Sequence, residues 1–535
     1  MMRSFLRIGP VGLLVVLALG AVPAQADLRL PAVFGDNMVL QRDMTVPVWG
    51  WAKPGGSVTV SIAGQSQTAT ADAGGRWMVK LSPLHVGPPL EMVVREDRQS
   101  LTLKNILVGE VWLCSGQSNM YLGVRFFANA AKEIQAANHP DLRLFSVQGT
   151  GSDTPQTDCH GHWVPCSPQV IPDFSATAYY FGRDLQQALG VPVGIICSAW
   201  NGAYIESWLS LPALKTDPDY PIMEARWEKA LAHAPAAMAE YRKKLAAYKI
   251  ALAQARQDKK PLPRAPYPPY TTPTPEEDQG IIDQTVEHYP IAHPAALFNG
   301  LIAPLIPTAI RGIVWYQGES NFYRAVQYGR LLPLLIRDWR SRWGEGDLPF
   351  IYVQIPNMGR YNVKPPPPPG QDWWAELRDA QRAGLAEPRT AMVVTTDLGN
   401  GDIHPTNKQG VGARLELTAL GMVYGKSVVY RSPMYASWQV KGHQACVTFD
   451  TYGSTLQTTD QGPVTGFAIA GADQKFIWAH AEIDGPCVRV WSDKVPQPAA
   501  VRYGWSAAGN LVNAAGLPAS PFRTDDWPVL SSKNR

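Results

Sequence analysis

The stretch VWLCSGQSNMYLG, Val111 to Gly123, runs from apolar residues into two serines, Ser115 and Ser118, set among glycine and side-chain amides. Much later, DLGNGDIHP brings Asp397, Asp402 and His404 close together. Between these lie SAWNGAYIESW, with Asn201 and Gly202, and YQGESN, with Gln317, Gly318, Glu319, Ser320 and Asn321. Acyl transfer through a serine is the chemistry such a set can do. A serine hydroxyl is a weak nucleophile until an imidazole takes its proton, and the imidazole needs an acid to fix its tautomer and stabilise its charged form. The tetrahedral intermediate carries an oxyanion, which needs N–H donors already in place. Glycine lets the backbone approach closely, and a side-chain amide adds a second kind of donor. Each motif alone is weak: a serine in a polar turn is far more often a turn residue than a nucleophile. Their order and their shared placement carry the inference.

That placement is set by an alternation of elements. Val111 to Cys114, Val191 to Trp200, the apolar part of Ala309 to Ser320, Pro349 to Pro356 and Thr390 to Gly399 read as apolar strands. Ser175 to Gly190, Tyr328 to Gly344 and Trp373 to Ala386 read as amphipathic helices, the first stopped by Gly190. Apolar strands alternating with such helices predict an α/β fold, a parallel sheet flanked by helices. Ligands of open α/β sheets bind beyond the carboxyl ends of the strands, where each motif falls. This catalytic domain spans 108–425, with an insertion at about 215–285. There Glu224 to Lys260 predicts an exposed helical hairpin or one long helix, followed by a proline-rich loop; Lys364 to Gly370 reads as a short stiff spacer. Residues 27–107 and 426–535 are β-rich and punctuated by Gly, Pro and Asp. They predict β-sandwich regions, jelly-roll or Ig-like, at both ends; the second either stands alone or completes the first.

Net charge is +3 with 17% charged residues, which predicts neither a nucleic-acid nor a membrane-surface partner. The 18 tryptophans fit core packing first and sugar stacking second. At the N-terminus, Arg3 and Arg7 precede an apolar run, Val11 to Val22, and the small-x-small site Ala24-Gln25-Ala26. Residues 1–26 thus read as an export signal, and the mature protein is expected in the periplasm or outside the cell, with no membrane attachment. The compartment allows disulfides: Cys159 with Cys166 and Cys446 with Cys487 are the expected pairs, with Cys114 and Cys197 buried thiols. His160 and His162, between the first two cysteines, match no standard zinc spacing, so no metal or cofactor is expected. Oligomeric state is left open.

The blocks CSGQSNM, GIVWYQGESN and DIHPTNKQGVG resemble those of the sialate O-acetylesterase-like branch of the SGNH hydrolases. The likeness runs from about Leu30 to about Leu420 outside the insertions and includes PAVFGDNMVLQRDMTVPVWGWA and LLIRDWRSRWGEGDLPFIYVQIP. It implies Ser118 as nucleophile, His404 as base, and an oxyanion hole from Ser118 and Gly202. The third block departs from the Gly-x-Asn pattern of the family: Gln317 is the expected amide donor, with Asn321 in reserve and Glu319 a buried acid that organises the turn; Gln117, beside the nucleophile, is a further candidate site residue. The acid departs too. The family carries Asp-x-x-His, but Gly401 stands three before His404; Asp402, two before, is the expected acid of a Ser-His-Asp mechanism, with Asp397, or a Ser–His dyad backed by a carbonyl, as the rivals.

The resemblance implies an exported carbohydrate O-acetylesterase acting on acetylated oligosaccharides or polysaccharides. Relatives of this kind include bacterial enzymes that deacetylate plant cell-wall glycans such as xyloglucan or xylan, and the insertions and accessory β regions tilt the expectation to acetylated plant hemicellulose. Sialate O-acetylesterase activity, and sugar binding by a decayed esterase site, are the alternatives. No Gly-x-Ser-x-Gly elbow of the lipase type accompanies Ser118.

Overall fold

The computed structural model describes residues 28–263, 266, 293–359 and 369–534, without the side chains at 233–235 and 237–238. The expected export signal, and most of the proline-rich loop and of the 364–370 spacer, lie outside the described residues.

Six short strands come first: β1 Val39–Gln41, β2 Val46–Trp51, β3 Ser57–Ile62, β4 Gln65–Thr70, β5 Arg76–Leu81 and β6 Leu90–Glu96. Their side chains alternate in period two, so β5 buries Trp77, Val79 and Leu81 and exposes the residues between. The next strand, β7, is Gln99–Gly116, eighteen residues long. Its first third alternates between half-buried and exposed while it pairs antiparallel with β6. From Ile106 onward every residue is buried, and there it is the centre of the main sheet. One strand thus runs through the position at 107/108 where the sequence suggests a boundary.

The main sheet adds β8 His139–Ser146, β9 Trp163–Cys166, β10 Val193–Ala199, β11 Gly312–Tyr316, β12 Phe350–Val353 and β13 Thr390–Val393. Its order is β13-β12-β11-β7-β10-β8-β9. All are parallel except the edge strand β9. β10, β11 and β12 are buried at every position, as expected of strands covered on both faces. The helices are α1 Ser118–Tyr121, α2 Ala130–Ala136, α3 Ala176–Leu189, α4 Leu211–Leu214, α5 Tyr220–Gln257, α6 Ala325–Trp343, α7 Trp373–Gln381 and α8 Lys408–Met422. One face of the sheet packs Leu113, Ile196, Ile313 and Trp315 against α6, α7 and the N-terminal strands in one core. The other packs Trp112, Cys114, Ile195 and Val314 under α3 and α8. Caps set the helix ends: Ser175 Oγ accepts from Ala178 N–H at the start of α3, and Gly190 ends it at φ +63°, where a Cβ would be strained.

Of the two forms open for the insertion, the structure shows a single helix. α5 has 38 residues, about 57 Å at 1.5 Å per residue, and is largely exposed. No described helix is long and apolar enough to cross a membrane. Salt bridges of Arg226 to Glu206 and of Arg330 to Asp217 and Asp219 fasten the near end of the insertion to the body.

The C-terminal strands pair among themselves rather than with β1–β6. A four-stranded sheet, Met434–Lys441, Gln444–Asp450, Cys487–Trp491 and His480–Asp484, and a second one, which includes Phe467–Ala470 and Ala500–Tyr503, share a separate core around Val447, Val488, Ile469 and Phe522. Glu376 of α7 accepts from the backbone of Leu530 and Ser531, docking the chain end on the main body.

Cys446 and Cys487 are bonded. The other expected disulfide is not formed: Cys159 and Cys166 are buried free thiols. Cys159 lies in the core on the β1–β6 side of the sheet and Cys166 in the core under α3, so the sheet separates them.

Candidate active site

β7 lies between β10 and β11, and the chain visits β8 and β10 on one side before crossing to β11 on the other. Its carboxyl end is therefore the switch point of the sheet, where a crevice forms. Gly116 ends the strand at φ +142°, with a conformation and a closeness to Tyr316 that leave no room for a side chain. Gln117 N–H donates to Tyr316 O at 2.9 Å, Trp200 N–H donates to Gly116 O at 3.0 Å, and Ser118 begins α1.

His404 arrives from the loop after β13. Its Nε2 lies 2.8 Å from Ser118 Oγ, although 286 positions separate the two residues. Burial, and then the Lys408 cation, hold the imidazole below its ordinary pKa, with Asp402 acting in the opposite sense. The ring is thus neutral at neutral pH and ready to accept a proton. Asp402 Oδ1 accepts the backbone N–H of His404 at 2.8 Å but stands 3.9 Å from Nδ1, beyond hydrogen-bond distance. Asp397 faces elsewhere, in a bidentate pair with Arg414 at 2.6 and 2.5 Å.

The three amides build the walls of the site. Gln317 Nε2 donates to Ala203 O at 3.0 Å and to Asn321 Oδ1 at 2.8 Å, so the expected donor has both amide hydrogens engaged inside the protein. Asn321 donates to Glu206 at 3.1 Å and accepts from Ile205 N–H. Gln117 Oε1 accepts from the backbone of Gly318 and Ser320. Buried loop backbone must find partners, and these side chains supply them. Gly202 adopts φ +68° and its carbonyl accepts from Ser320 Oγ at 2.9 Å, joining the second block to the third.

Glu319 is buried, as expected, and burial raises its pKa. Its Oε1 accepts from Asn119 Nδ2 at 2.5 Å. The same Nδ2 donates to Ile403 O at 3.0 Å, and Asn119 Oδ1 accepts from the buried Lys408 Nζ. Sequence reasoning passed over Asn119 and Lys408. The signal lay in their places, one residue after the nucleophile and four after the histidine, though either type is common at a polar helix start. Tyr121, Phe126 and Ile403, in the segments that carry Ser118 and His404, are exposed. Ala128 N–H donates to Thr406 O at 3.1 Å, which brings those two segments together.

A family model described as carbohydrate esterase, sialic acid-specific acetylesterase, matches residues 298–418. Sialate O-acetylesterase of Rattus norvegicus is 28% identical over 96% of this chain and 97% of its own length. That of Homo sapiens is 28% identical over 93% of each. A solved carbohydrate acetylesterase from Xanthomonas citri is 36% identical, with a TM-score of 0.76 over 93% of this chain and 100% of that one.

Proposed function

The chain belongs to the sialate O-acetylesterase-like carbohydrate esterases and is a carboxylic ester hydrolase; we propose that it deacetylates acetylated plant hemicellulose oligosaccharides through an acyl-enzyme on Ser118. The observation that carries the mechanism is the 2.8 Å contact of Ser118 Oγ with His404 Nε2 at the switch point of the sheet. Ser118 Oγ attacks the acetyl carbonyl as Nε2 takes its proton. The tetrahedral oxyanion is met by backbone N–H groups: that of Ser118, which at the first position of α1 has no intrahelical acceptor, and that of Gly202. Collapse breaks the C–O bond to the sugar, whose oxygen takes the proton back from His404. Water then attacks the acetyl-serine by the same route and releases acetate.

Asp402 serves in this reading by its charge and by its hold on the His404 backbone. Asp402→Asn is expected to lower kcat/KM about tenfold, well short of the loss when a hydrogen-bonded triad acid is replaced. It should also move the acid limb of the pH profile downward, because the carboxylate raises the His404 pKa. Asp397→Asn should leave kcat/KM within about twofold and cost at most about 1 kcal/mol, since it removes only a partly exposed ion pair. Rate profiles of the two variants from pH 4.5 to 9 check both; a collapse in Asp397→Asn alone would reverse the assignment.

The plant-glycan reading is favoured by the exposed apolar Tyr121, Phe126 and Ile403, which suit the face of a neutral sugar. Arg125, whose guanidinium carbon lies 5.3 Å from the centre of the Phe126 ring, is ion-paired with Asp173. The sialate reading is favoured by the mammalian relatives, aligned over nearly the whole chain. Acetate release from acetylated xyloglucan, acetylated xylan and O-acetyl sialic acid, measured side by side, separates them. Fastest release from O-acetyl sialic acid would overturn the plant-glycan reading.

A further inference from the structure

Behind the dyad, one amide touches three catalytic segments at once. Asn119, next to the nucleophile, donates to Ile403 O on the histidine loop and to Glu319 on the β11 loop, and accepts from Lys408 at the start of α8. Thr177 Oγ1 of α3 donates to its carbonyl at 2.7 Å. Lys408 is 1% exposed, its Nζ 4.7 Å from the ring centre of Phe127 and 5.5 Å from that of Tyr316. An ammonium is costly to bury and is retained only where it is paired and hydrogen-bonded. Methionine would fill the same volume without that cost, so packing alone does not account for a lysine here. The exposed Asp402, meanwhile, does not hydrogen-bond the imidazole.

We propose that Lys408 is a positioning residue of this esterase, acting through Asn119 to lock the His404 loop against the nucleophile turn. The proposal rests on Ser118 and His404 being nucleophile and base. The charge of Lys408 adds to the effect of its hydrogen bond. The charged groups acting on His404 are Lys408 from α8 and Asp402 from its own loop, with opposite signs. Burial brings Lys408 down to about 7, opposed by Glu319 and Asp402. His404 titrates below the ordinary histidine value of about 6.5. As a cation, Lys408 disfavours the imidazolium of His404.

The test is the pH profile of Lys408→Met, Lys408→Gln and Lys408→Arg on p-nitrophenyl acetate, with rates normalised to sites titrated by a fluorophosphonate. Lys408→Met is expected to lower normalised kcat by about 10- to 100-fold with KM within about twofold, as for a misplaced catalytic group. The acid limb of kcat/KM should rise by about half a pH unit or more in Lys408→Met and Lys408→Gln, and stay near the wild-type position in Lys408→Arg. A normalised kcat within twofold of wild type overturns the proposal. So does a lower rate with an unmoved limb, which is what a merely structural lysine would give. If Lys408→Met does not fold, Lys408→Gln, which keeps a donor for Asn119, is judged by the same limb; a wild-type limb at or above about 6.5 also overturns it. Ser118→Ala is run alongside. Turnover in that variant sinks the nucleophile assignment itself, whereas an inactive Ser118→Ala beside a wild-type-like Lys408→Met sinks only the role of Lys408.

Discussion

Ser118→Ala is expected to lower kcat on p-nitrophenyl acetate by about 10⁴-fold or more, with the melting temperature unchanged within a degree or two. Ser118 is buried and its hydroxyl bonds the partly exposed His404 across the crevice, so removing it leaves a small gap and no fully buried group deprived of its partner. Stability and rate should therefore separate cleanly. His404→Ala should cost about as much, and the double variant little more than either, because nucleophile and base act as one unit. Pre-steady-state release of p-nitrophenol from the wild type should show one burst per site, absent in Ser118→Ala. Full activity in Ser118→Ala would dismantle the acyl-enzyme mechanism.

Gly116→Ala is expected to cost about 100-fold in kcat without touching any reacting group. A Cβ at this position would meet Tyr316 O at 2.0 Å and Tyr316 C at 2.6 Å, both backbone atoms of the adjoining strand, and φ is +142°. A carbon–oxygen contact needs about 3.3 Å, so β7 and β11 must separate by about 1 Å at the rung two residues before Ser118, and a shift of that size costs on the order of 10²-fold. Overpacking adds a destabilisation of about 1–3 kcal/mol. Gly190→Ala is the control: φ is +63°, but nothing lies within 4 Å of the added carbon. It should lower the melting temperature through backbone strain and leave kcat alone. Equal kcat in Gly116→Ala and wild type would show that the strand pair yields more freely than its geometry implies.

Much of this was legible in the sequence because burial and strand ends leave a pattern. Val193–Ala199, apolar but for Ser198, reads as a strand covered on both sides, and the polar blocks that carry Ser118 and His404 meet in one crevice. The direction of a side chain left no such mark. Gln317 sits at its strand end, but whether its amide faces the crevice or the loop carbonyl of Ala203 depends on which backbone groups the fold leaves unpaired. The two-residue spacing of Asp402 from His404 was visible, yet only the folded loop shows its carboxylate bonded to the backbone instead of the ring. Lys408 looked like an ordinary polar residue at a helix start, since nothing local records that α8 begins against Phe127 and Tyr316. Cys159 and Cys166 are near in sequence, but nearness says nothing about which face of a sheet each one meets.

The eighteen-residue β7 bears on how such a protein can be taken apart. Its leading residues are hydrogen-bonded to β6 and its last residue stands two before the nucleophile. A gene fusion or a recombination event joined at 107/108 would sever a single continuous strand and strip β1 and β6 from it, rather than divide separate modules at a hinge. The N-terminal region is thus the root of the blade that carries the serine. Portability of this catalytic unit between larger architectures should extend back to the strands before residue 99.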